Sequence, residues 1–319
     1  MASPNLTEIV TTTLRNRSKK LADNVTKNNA ALLRLEQKGN ARPADGGRTL
    51  VEELEYAENG TFQYYSGYEL LDVSPSDVFS AAEFDWKQAA VNVTISGLEG
   101  RIQNAGREKV IPLLAKRIKN AEKTMTNGIA LGVYADGTGS AGKEIGGLKL
   151  LVADDPTTGT VGGINRATWS FWRNQVQSEA VFDKTTVQHN MNLLWLKCMR
   201  GRDKVDLILA DNNAYTNYLE SLQPIQRITN AKMADAGFTN LEYLGAPVVV
   251  DGAQGGGCPA NHMYFLNTDY LYYRPHSDTN MVPMEEVRAI NQDATVQAIL
   301  WAGNMTLSNA SLQGVYFKS

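Results

Sequence analysis

The sequence predicts an α+β protein in which one long helix separates a strand-rich polar region from a mixed body of helices and strands. Apolar residues recur three and four positions apart between Arg107 and Val133, which is the spacing of one helix face. Apolar and polar residues alternate on both sides of that segment, which is the period of a strand. Apolar residues make up 43% of the 319-residue chain, enough for the core of one elaborated domain or two.

An apolar stripe runs along the long helix at Ile111, Leu114, Ile118, Ala121 and Met125. Pro112 is favourable in the first turn of a helix, but farther inside it costs about 3 kcal/mol and bends the axis. The helix therefore begins near Ile111, or it begins near Asn104 and bends at Pro112. We favour the bend, because residues 103–109 are otherwise compatible with a helix.

Charge, cysteine content and hydropathy exclude several classes of protein. A net charge of −3 and a pI of about 5.7 argue against a nucleic-acid binder that acts through its overall charge. Cys198 and Cys258 are the two cysteines, too few for a disulfide framework and typical of a reducing compartment. No run approaches the ~18 apolar residues of a membrane span, and the N-terminus lacks the apolar segment of a signal peptide. We therefore expect no membrane partner.

Residues 1–47 are predicted to form a polar N-terminal arm. Between residues 1 and 42, eight basic residues oppose three acidic ones, a net charge of +5 that leaves −8 for the remainder. The thin apolar stripe of the arm cannot bury enough to fold alone, so we expect it to order against a partner. The charge either faces a polyanion or an acidic partner, or only solvates one face of a helix. The candidate contact residues are Arg15, Arg17, Lys19, Lys20, Lys27 and Arg34.

A strand-rich region follows the arm and its turn-rich linker. Apolar and polar residues alternate from Phe62 to Leu70 and from Phe84 to Ile95, with a turn at Ser74–Asp77 between them. The two segments predict a long hairpin with one thin apolar face, which is a poor core by itself. Its aromatic residues are more easily explained if another subunit covers them. The predicted inter-subunit residues are Phe62, Tyr64, Tyr65, Tyr68, Phe84, Trp86 and Lys87.

The body beyond the long helix reads as an α/β layer. Apolar spacing predicts a helix over 187–198, and Val205–Ala210 predicts a buried strand. Asp211 follows that strand as the expected N-cap of another helix. Leu244–Asp251 predicts a strand with a proline near its start. Ala294–Met305 carries apolar residues on both faces, which predicts a central strand.

One glycine-rich segment resembles a phosphate-binding loop. Gly137–Lys143 fits the G-x-x-x-x-G-K core, but that chemistry needs Ser or Thr next, and Glu144 would repel phosphates. The loop should also open a helix, and Ile145–Gly147 is a poor helix start. We favour a connecting loop here, with a nucleotide-binding enzyme as the alternative function.

Other catalytic patterns are weak. His189, His262 and His276 have no metal-ligand spacing with each other or with the cysteines. Cys198 lies on the apolar stripe of its helix, which favours an inert core thiol over a nucleophile. The sequence contains no G-x-S-x-G elbow and no persuasive carboxylate pair. We predict no catalytic residue, no metal site and no cofactor.

Four stretches carry a resemblance to a known family. They are Asp136–Leu148, Asp155–Arg166, Phe171–Asn174 and Tyr243–Val248. Together with the order of parts, from basic arm and hairpin to long helix, glycine-rich loop and mixed body, they resemble the major capsid protein of tailed bacteriophages. The resemblance covers essentially the whole chain and rests on combined order, without a single diagnostic motif. It implies the Hong Kong 97-type capsid fold.

The resemblance also implies a division of the chain. Residues 1–47 would be the N-terminal arm, and 48–102 the extended hairpin loop that lies across a neighbouring subunit. Residues 103–180 would be the peripheral domain with the long helix as its spine, and 181–260 the axial domain at the capsomer centre. Residues 261–319 would be strands returning to the peripheral and axial domains.

A structural function without catalysis follows from the resemblance. The chain would assemble with itself, as hexamers and pentamers, into the icosahedral shell of a virion around double-stranded DNA, in the cytoplasm of a bacterial host. The arm would face inward and hold the packaged DNA by non-specific charge. Further partners would be a separate scaffolding protein, since the arm is too short to include one, a portal protein and, optionally, a decoration protein. A bacterial protein compartment with the same shell fold is the alternative.

Overall fold

The computed structural model confirms the α+β class. It describes residues 29–99, 113–222, 240–252, 256–285, 287–288 and 293–319. The helices in these ranges are α1 (Ala30–Gln37), α2 (Leu113–Gly132), α3 (Leu148–Leu151), α4 (Val187–Lys197) and α5 (Asn212–Ser221), with a 3-10 turn at Ser170–Trp172. A four-residue turn at Gly139–Gly142 has left-handed backbone angles at Ser140 and Ala141 and is not a regular right-handed helix.

The strands form four sheets within the described ranges. They are β1 (Leu50–Glu55), β2 (Phe79–Phe84), β3 (Lys87–Ser96), β4 (Thr160–Val161), β5 (Ile164–Asn165), β6 (Gln175–Glu179), β7 (Leu207–Ala210), β8 (Asn240–Tyr243), β9 (Ala246–Val250), β10 (His262–Leu266), β11 (Leu271–Pro283), β12 (Val287–Arg288), β13 (Ala294–Leu307) and β14 (Gly314–Lys318).

A mixed six-stranded sheet forms the centre of the body, in the order β6-β14-β10-β7-β9-β8. β6 runs parallel to β14 and β7 runs parallel to β9, whereas the other neighbours are antiparallel. Strand β7 is buried on both faces: Leu207 and Leu209 belong to the core that includes α2, and Ile208 and Ala210 to the core that includes α4 and α5. The sheet therefore separates two apolar layers.

The predicted strand–cap–helix unit is confirmed. The Asp211 side chain accepts a hydrogen bond from Asn213 N–H, which satisfies a free donor in the first turn of α5. Strands β8 and β9 join through a two-residue turn in which Leu244 and Gly245 both have positive φ, at 48° and 88°. That conformation fits the twist of a tight hairpin, although a leucine adopts it at a steric cost.

Strand β13 is the central strand of a second sheet, as its two apolar faces predict. It pairs antiparallel with β11 and β12 at one edge and with β3 at the other. The β3 register is continuous, from Lys87 opposite Gly303 to Ser96 opposite Ala294. The segment predicted to be the second strand of a hairpin therefore belongs to this sheet.

Helix α2 packs against β3 and buries Ala121, Met125 and Ile129, so the predicted apolar face is confirmed over the described part of the helix. Residues 100–112, including Pro112, lie outside the described residues, and the bend stays a prediction. Among the helices described, none combines the length and hydropathy needed to cross a bilayer.

The predicted pairing of the hairpin is wrong. Strand β1 pairs antiparallel with β2, from Leu50 opposite Phe84 to Glu55 opposite Phe79, and Phe62–Leu70 forms no strand. Alternation alone does not make a strand where the described chain offers no neighbouring strand, and Gly67 at a φ of 58° turns the backbone. We use the name hairpin loop for β1, residues 56–78 and β2.

The predicted linker at Asn40–Gly47 has more regular structure than its composition suggests. Arg42 N–H donates to Tyr273 O at 2.9 Å, and Ala44 N–H donates to Pro275 O at 2.9 Å. Both contacts are parallel bridges to β11. The segment therefore satisfies backbone groups along an edge of the second sheet.

Candidate assembly surface

A buried ion pair fixes the base of the hairpin loop. Glu52 accepts hydrogen bonds from Arg274 Nε at 2.8 Å and from Arg274 Nη2 at 2.9 Å, and Thr306 Oγ1 donates to Glu52 Oε1 at 2.7 Å. Glu52 faces inward because alternate residues of β1 point to the core. Two-point pairing between guanidinium and carboxylate restricts orientation as well as separation. The loop is therefore held firmly against β11 and β13.

The distal part of the hairpin loop presents apolar side chains to solvent. Tyr64 is 91% exposed and Leu70 is 95% exposed. Phe62, Tyr65, Tyr68, Leu71 and Val73 are also exposed. The ring of Phe62 meets that of Tyr64 at a centroid distance of 5.3 Å, a contact within the loop itself. The predicted residues Phe62, Tyr64, Tyr65 and Tyr68 are therefore all exposed along this part of the hairpin loop.

Three predicted inter-subunit residues lie apart from that surface. Phe84 is only 5% exposed and belongs to the core of this chain, so it is removed from the predicted contact set. The reason is its position on β2, where it faces inward opposite Leu50. Trp86 Nε1 donates to Gly47 O at 3.0 Å, and Lys87 Nζ donates to Gly142 O at 2.6 Å. Both side chains contact their own chain.

The basic arm is described only from Asn29 onward, so Arg15, Arg17, Lys19, Lys20 and Lys27 lie outside the described residues. Arg34, the predicted contact residue inside the described ranges, pairs with a carboxylate of its own chain. Its Nη2 lies 3.2 Å from Asp206 Oδ2, and Lys38 Nζ lies 2.7 Å from the same oxygen. Asp206 also accepts from Thr268 N–H and Oγ1, both at 2.7 Å. Arg34 therefore anchors α1 to the body.

An aromatic groove lies beside the base of the hairpin loop. Tyr56, Trp169 and Phe171 form a cluster with ring-centroid distances of 5.6 to 6.0 Å. The groove encloses about 760 Å³, and the carboxylates of Asp77 and Glu83 line it. Its remaining lining residues are Phe79, Ser80, Ala81 and Gly162–Asn165. Trp169 is 45% exposed and Phe79 is 76% exposed. The groove is thus an open site with an aromatic wall and an acidic lip.

A buried arginine holds the segment that carries Trp169 and Phe171. Arg166 donates to Leu150 O at 3.1 Å, Leu151 O at 2.5 Å and Trp172 O at 3.3 Å. The first two acceptors are end carbonyls of α3, which lack partners inside the helix. Burial lowers the pKa of Arg166 to about 10, so it remains charged at neutral pH. Sequence reasoning missed this groove, because 154–163 reads as irregular, and the cluster of aromatics at 169–172 was the available signal.

A buried carboxylate joins three parts of the fold. Asp251, at the end of β9, accepts a hydrogen bond from the Tyr134 hydroxyl beyond α2 and one from Ala30 N–H at the start of α1. Burial raises the pKa of Asp251 to about 6, although both hydrogen bonds oppose the shift. Burial also raises the pKa of Tyr134 and of Cys258 well above their usual values. The contact links the six-stranded sheet, the long helix and the arm.

The glycine-rich loop does not have the geometry of a phosphate site. Gly139 N–H donates to Glu144 Oε2 at 3.1 Å, so the carboxylate occupies a place where phosphate would bind backbone donors. Ser140 and Ala141 have positive φ, at 53° and 58°. The next helix, α3, begins only at Leu148 and is four residues long. The loop therefore lacks the helix N-terminus that would face the anion.

The prediction that Cys198 is an inert core thiol agrees with its contacts. Cys198 is fully buried among the residues packed on α4, and burial raises its pKa to about 12. Burial lowers the pKa of His262, but hydrogen bonds to Asp154 and Ala260 outweigh it and leave the pKa raised. His262 Nε2 lies 3.1 Å from Asp154 Oδ2. No group of three or more potential ligands in the described chain is placed to hold a metal.

Comparison with solved structures identifies the fold of this chain. No family model and no curated protein matches the sequence. The capsid of cyanophage A-1(L) is similar with a TM-score of 0.67 and 18% identity, over 96% of this chain and 97% of that one. A protein of Mycobacterium phage Bobi is similar with a TM-score of 0.58 and 12% identity, over 97% of both chains. The chain has the Hong Kong 97-type capsid fold.

The capsid fold also occurs outside phages. The holo-SrpI encapsulin complex of Synechococcus elongatus is similar with a TM-score of 0.61 and 8% identity, over 98% of this chain and 95% of that one. Identities this low establish the fold alone. Both groups of structures with the capsid fold match over nearly the whole chain, so the fold by itself does not select the cargo.

Proposed function

We propose that this chain is the repeating subunit of a closed protein shell, and more specifically the major capsid protein of a tailed bacteriophage. The exposed apolar surface of the hairpin loop is the observation that supports this most directly. Exposure of apolar surface on Tyr64, Tyr68 and Leu70 to water is unfavourable in free energy, and a neighbouring copy would bury that surface. Each interface would contribute modestly, and the closed assembly would repeat it many times.

The proposed role gives each part of the chain a task. Residues 48–102 would reach a neighbouring subunit, with β1 and β2 as the rigid base of the reach. The long helix would be the spine of a peripheral domain over 103–180. The six-stranded sheet with α4 and α5 would supply the axial domain at the capsomer centre, largely within 181–260. Residues 261–319 return strands to both sheets.

The partners follow from the same proposal. Copies of the chain would form hexamers and pentamers, a separate scaffolding protein would guide closure, and a portal protein would take one vertex. Double-stranded DNA would be packaged inside and held by non-specific charge, and a decoration protein is an optional addition outside. The product would be part of the virion, assembled in the cytoplasm of a bacterial host. The role is structural, without a catalytic step.

A bacterial protein compartment is the second candidate, and the similarity to the encapsulin complex favours it. The two candidates differ in what lies inside the shell. Particles made in infected cells should retain double-stranded DNA after nuclease treatment if the chain is a phage capsid. Particles that contain a defined protein and no protected DNA would replace the phage assignment with the compartment.

A further inference from the structure

Within the part of the chain that the structure describes, no cation pairs with the acidic lip of the aromatic groove. Among the described residues, neither Asp77 nor Glu83 forms a salt bridge, and both side chains are exposed. Their surroundings are strongly acidic as well, since residues 48–86 contain nine acidic residues and one basic residue. An occupant that brings positive charge would therefore gain energy from the whole loop, and an anion would be repelled.

The aromatic wall of the groove indicates which kind of cationic group would bind there. The exposed ring of Trp169 and the clustered rings of Tyr56 and Phe171 attract a cation through their faces. A guanidinium group suits this site better than an ammonium group, because it stacks on rings and pairs with carboxylates at the same time. The groove thus fits one or two arginine side chains on a peptide segment.

The chain itself contains such a segment. Residues 1–28 carry five basic residues against two acidic ones, and Arg15 and Arg17 stand two positions apart. In an extended peptide, residues two apart project from the same side, about 7 Å from each other. Two guanidinium groups would therefore lie on one side of a bound strand, the side that would face Asp77 and Glu83. Lys19 continues the same side.

The residues before Asn29 are long enough for Arg15 and Arg17 to reach the groove of another copy. The described chain begins at Asn29, whose side chain donates to Ala130 O at 3.0 Å and so ties the start of α1 to α2. Arg15 and Arg17 lie 14 and 12 residues before Asn29. Extended, those residues span about 40–50 Å, roughly twice the radius of gyration of a domain of this size. An arm that ends on a neighbour adds a contact to every subunit interface.

We propose that Arg15 and Arg17 of one copy bind the aromatic groove of a neighbouring copy, between Trp169 and the carboxylates of Asp77 and Glu83. This inference rests on the proposed shell function. It differs from the DNA-facing role of the arm, because binding of the arm to a protein groove would stabilise the assembly even when no nucleic acid is present.

Charge reversal in the full-length chain tests the proposal. Subunits freed of nucleic acid are assembled, and closed particles are quantified by light scattering and electron microscopy. We expect R15E/R17E and D77R/E83R each to lower particle yield at least five-fold, and the four changes in one chain to restore most of it. The matched control E53R/E58R reverses two exposed carboxylates of the same loop outside the groove, and should keep its yield. Circular dichroism should show all variants folded.

Mixing identifies whose groove is filled. Copies with R15E/R17E mixed with copies carrying D77R/E83R should recover particles if arms bind neighbours, because reversed arms then meet reversed grooves. Rescue only when all four changes share one chain would overturn binding to a neighbour in favour of binding within a copy. Unchanged yield in both variants, or an effect of R15E/R17E on DNA retention alone, would overturn the groove role. Failure of the unmodified chain to form particles would instead refute the shell function.

Discussion

Gly147 lies against the carbonyl oxygen of Gly132, where the end of the long helix meets the loop that leads to α3. A Cβ atom on Gly147 would fall 2.3 Å from Gly132 O and 2.4 Å from Val133 O. Leu148 N–H also donates to Val133 O at 2.6 Å, so the backbone cannot move away without losing that bond. This approach joins the end of α2 to the start of α3 through main-chain atoms.

We therefore expect Gly147→Ala to destabilise the fold by more than about 2 kcal/mol, since backbone atoms must shift to accept the methyl group. Gly128→Ala is the matched control. Gly128 stands inside α2 with no atom within 4 Å of the added Cβ, and alanine should stabilise the helix there by about 0.5–1 kcal/mol. Urea unfolding followed by circular dichroism measures both. Equal effects of the two changes would contradict the close approach.

The Glu52–Arg274 pair should be sensitive to removal of one partner. Among the described residues, Arg274→Met leaves the buried Glu52 carboxylate with the Thr306 hydroxyl alone, and it should cost about 3–5 kcal/mol of unfolding free energy. Glu53→Gln, on the exposed side of β1, should change the same quantity by less than about 0.5 kcal/mol. Chemical denaturation of soluble subunits makes the comparison. A cost below about 1 kcal/mol for Arg274→Met would show that the pair does not hold the loop.

Asp251 should make stability depend on pH in a known direction. Its folded pKa, about 6, lies above the usual 3.8, so its contribution is fully present below pH 3.8 and is lost as pH rises through 6. Asp251→Asn stays neutral and can still accept from Tyr134. We expect it to flatten this part of the curve and to stabilise the fold near pH 7 by up to about 3 kcal/mol. Thermal unfolding between pH 4 and 8 measures the difference.

Asp155→Asn is the control with the opposite sign. Hydrogen bonds from the Thr157 side chain and backbone lower the pKa of this exposed carboxyl, so its contribution is present at neutral pH and is lost as pH falls. A curve for Asp251→Asn parallel to that of the unmodified chain would refute the raised pKa of Asp251.

Completing the phosphate-loop motif should not create a nucleotide site. Glu144→Thr gives the full G-x-x-x-x-G-K-T pattern and removes the carboxylate that Gly139 N–H contacts. We still expect no ATP binding at millimolar concentration, because no helix opens at the loop to direct backbone dipoles at the anion. Isothermal titration with Mg²⁺-ATP measures this for the unmodified chain, Glu144→Thr and Lys143→Ala. Saturable binding that Lys143→Ala abolishes would revive the enzyme hypothesis.

Much of the fold was predictable because its signals are local. The alternation of Ala294–Met305, the cap at Asp211 and the stripe through Ala121 and Met125 each reflect which residues face a core. The strand predicted at Phe62–Leu70 failed for a non-local reason. Its alternation describes side chains suited to burial, but no strand in the described ranges pairs with this segment.

The candidate surface was predictable only in part. The exposure of Tyr64, Tyr65 and Tyr68 was predictable, because a segment with one thin apolar face cannot bury so many aromatic residues. The burial of Phe84 depends on the register of β1 against β2, which the sequence does not reveal. The aromatic groove joins residues more than a hundred positions apart, such as Tyr56 and Trp169. Composition does not predict a contact between residues so far apart in the chain. The contact depends on the buried Arg166, whose hydrogen bonds fix the segment that carries Trp169.

Electron microscopy of the purified full-length chain, beside its Tyr64→Ser/Tyr68→Ser variant, tests the central claim most directly. We expect closed shells from the unmodified chain. The variant should give folded, soluble subunits, because both tyrosines are exposed and outside the described core, and under the proposed function they serve assembly. Glu53→Ser/Glu58→Ser, two exposed changes in the same loop, should leave the shells intact. Dispersed monomers from the unmodified chain, or equally abundant shells from the tyrosine variant, would contradict the account.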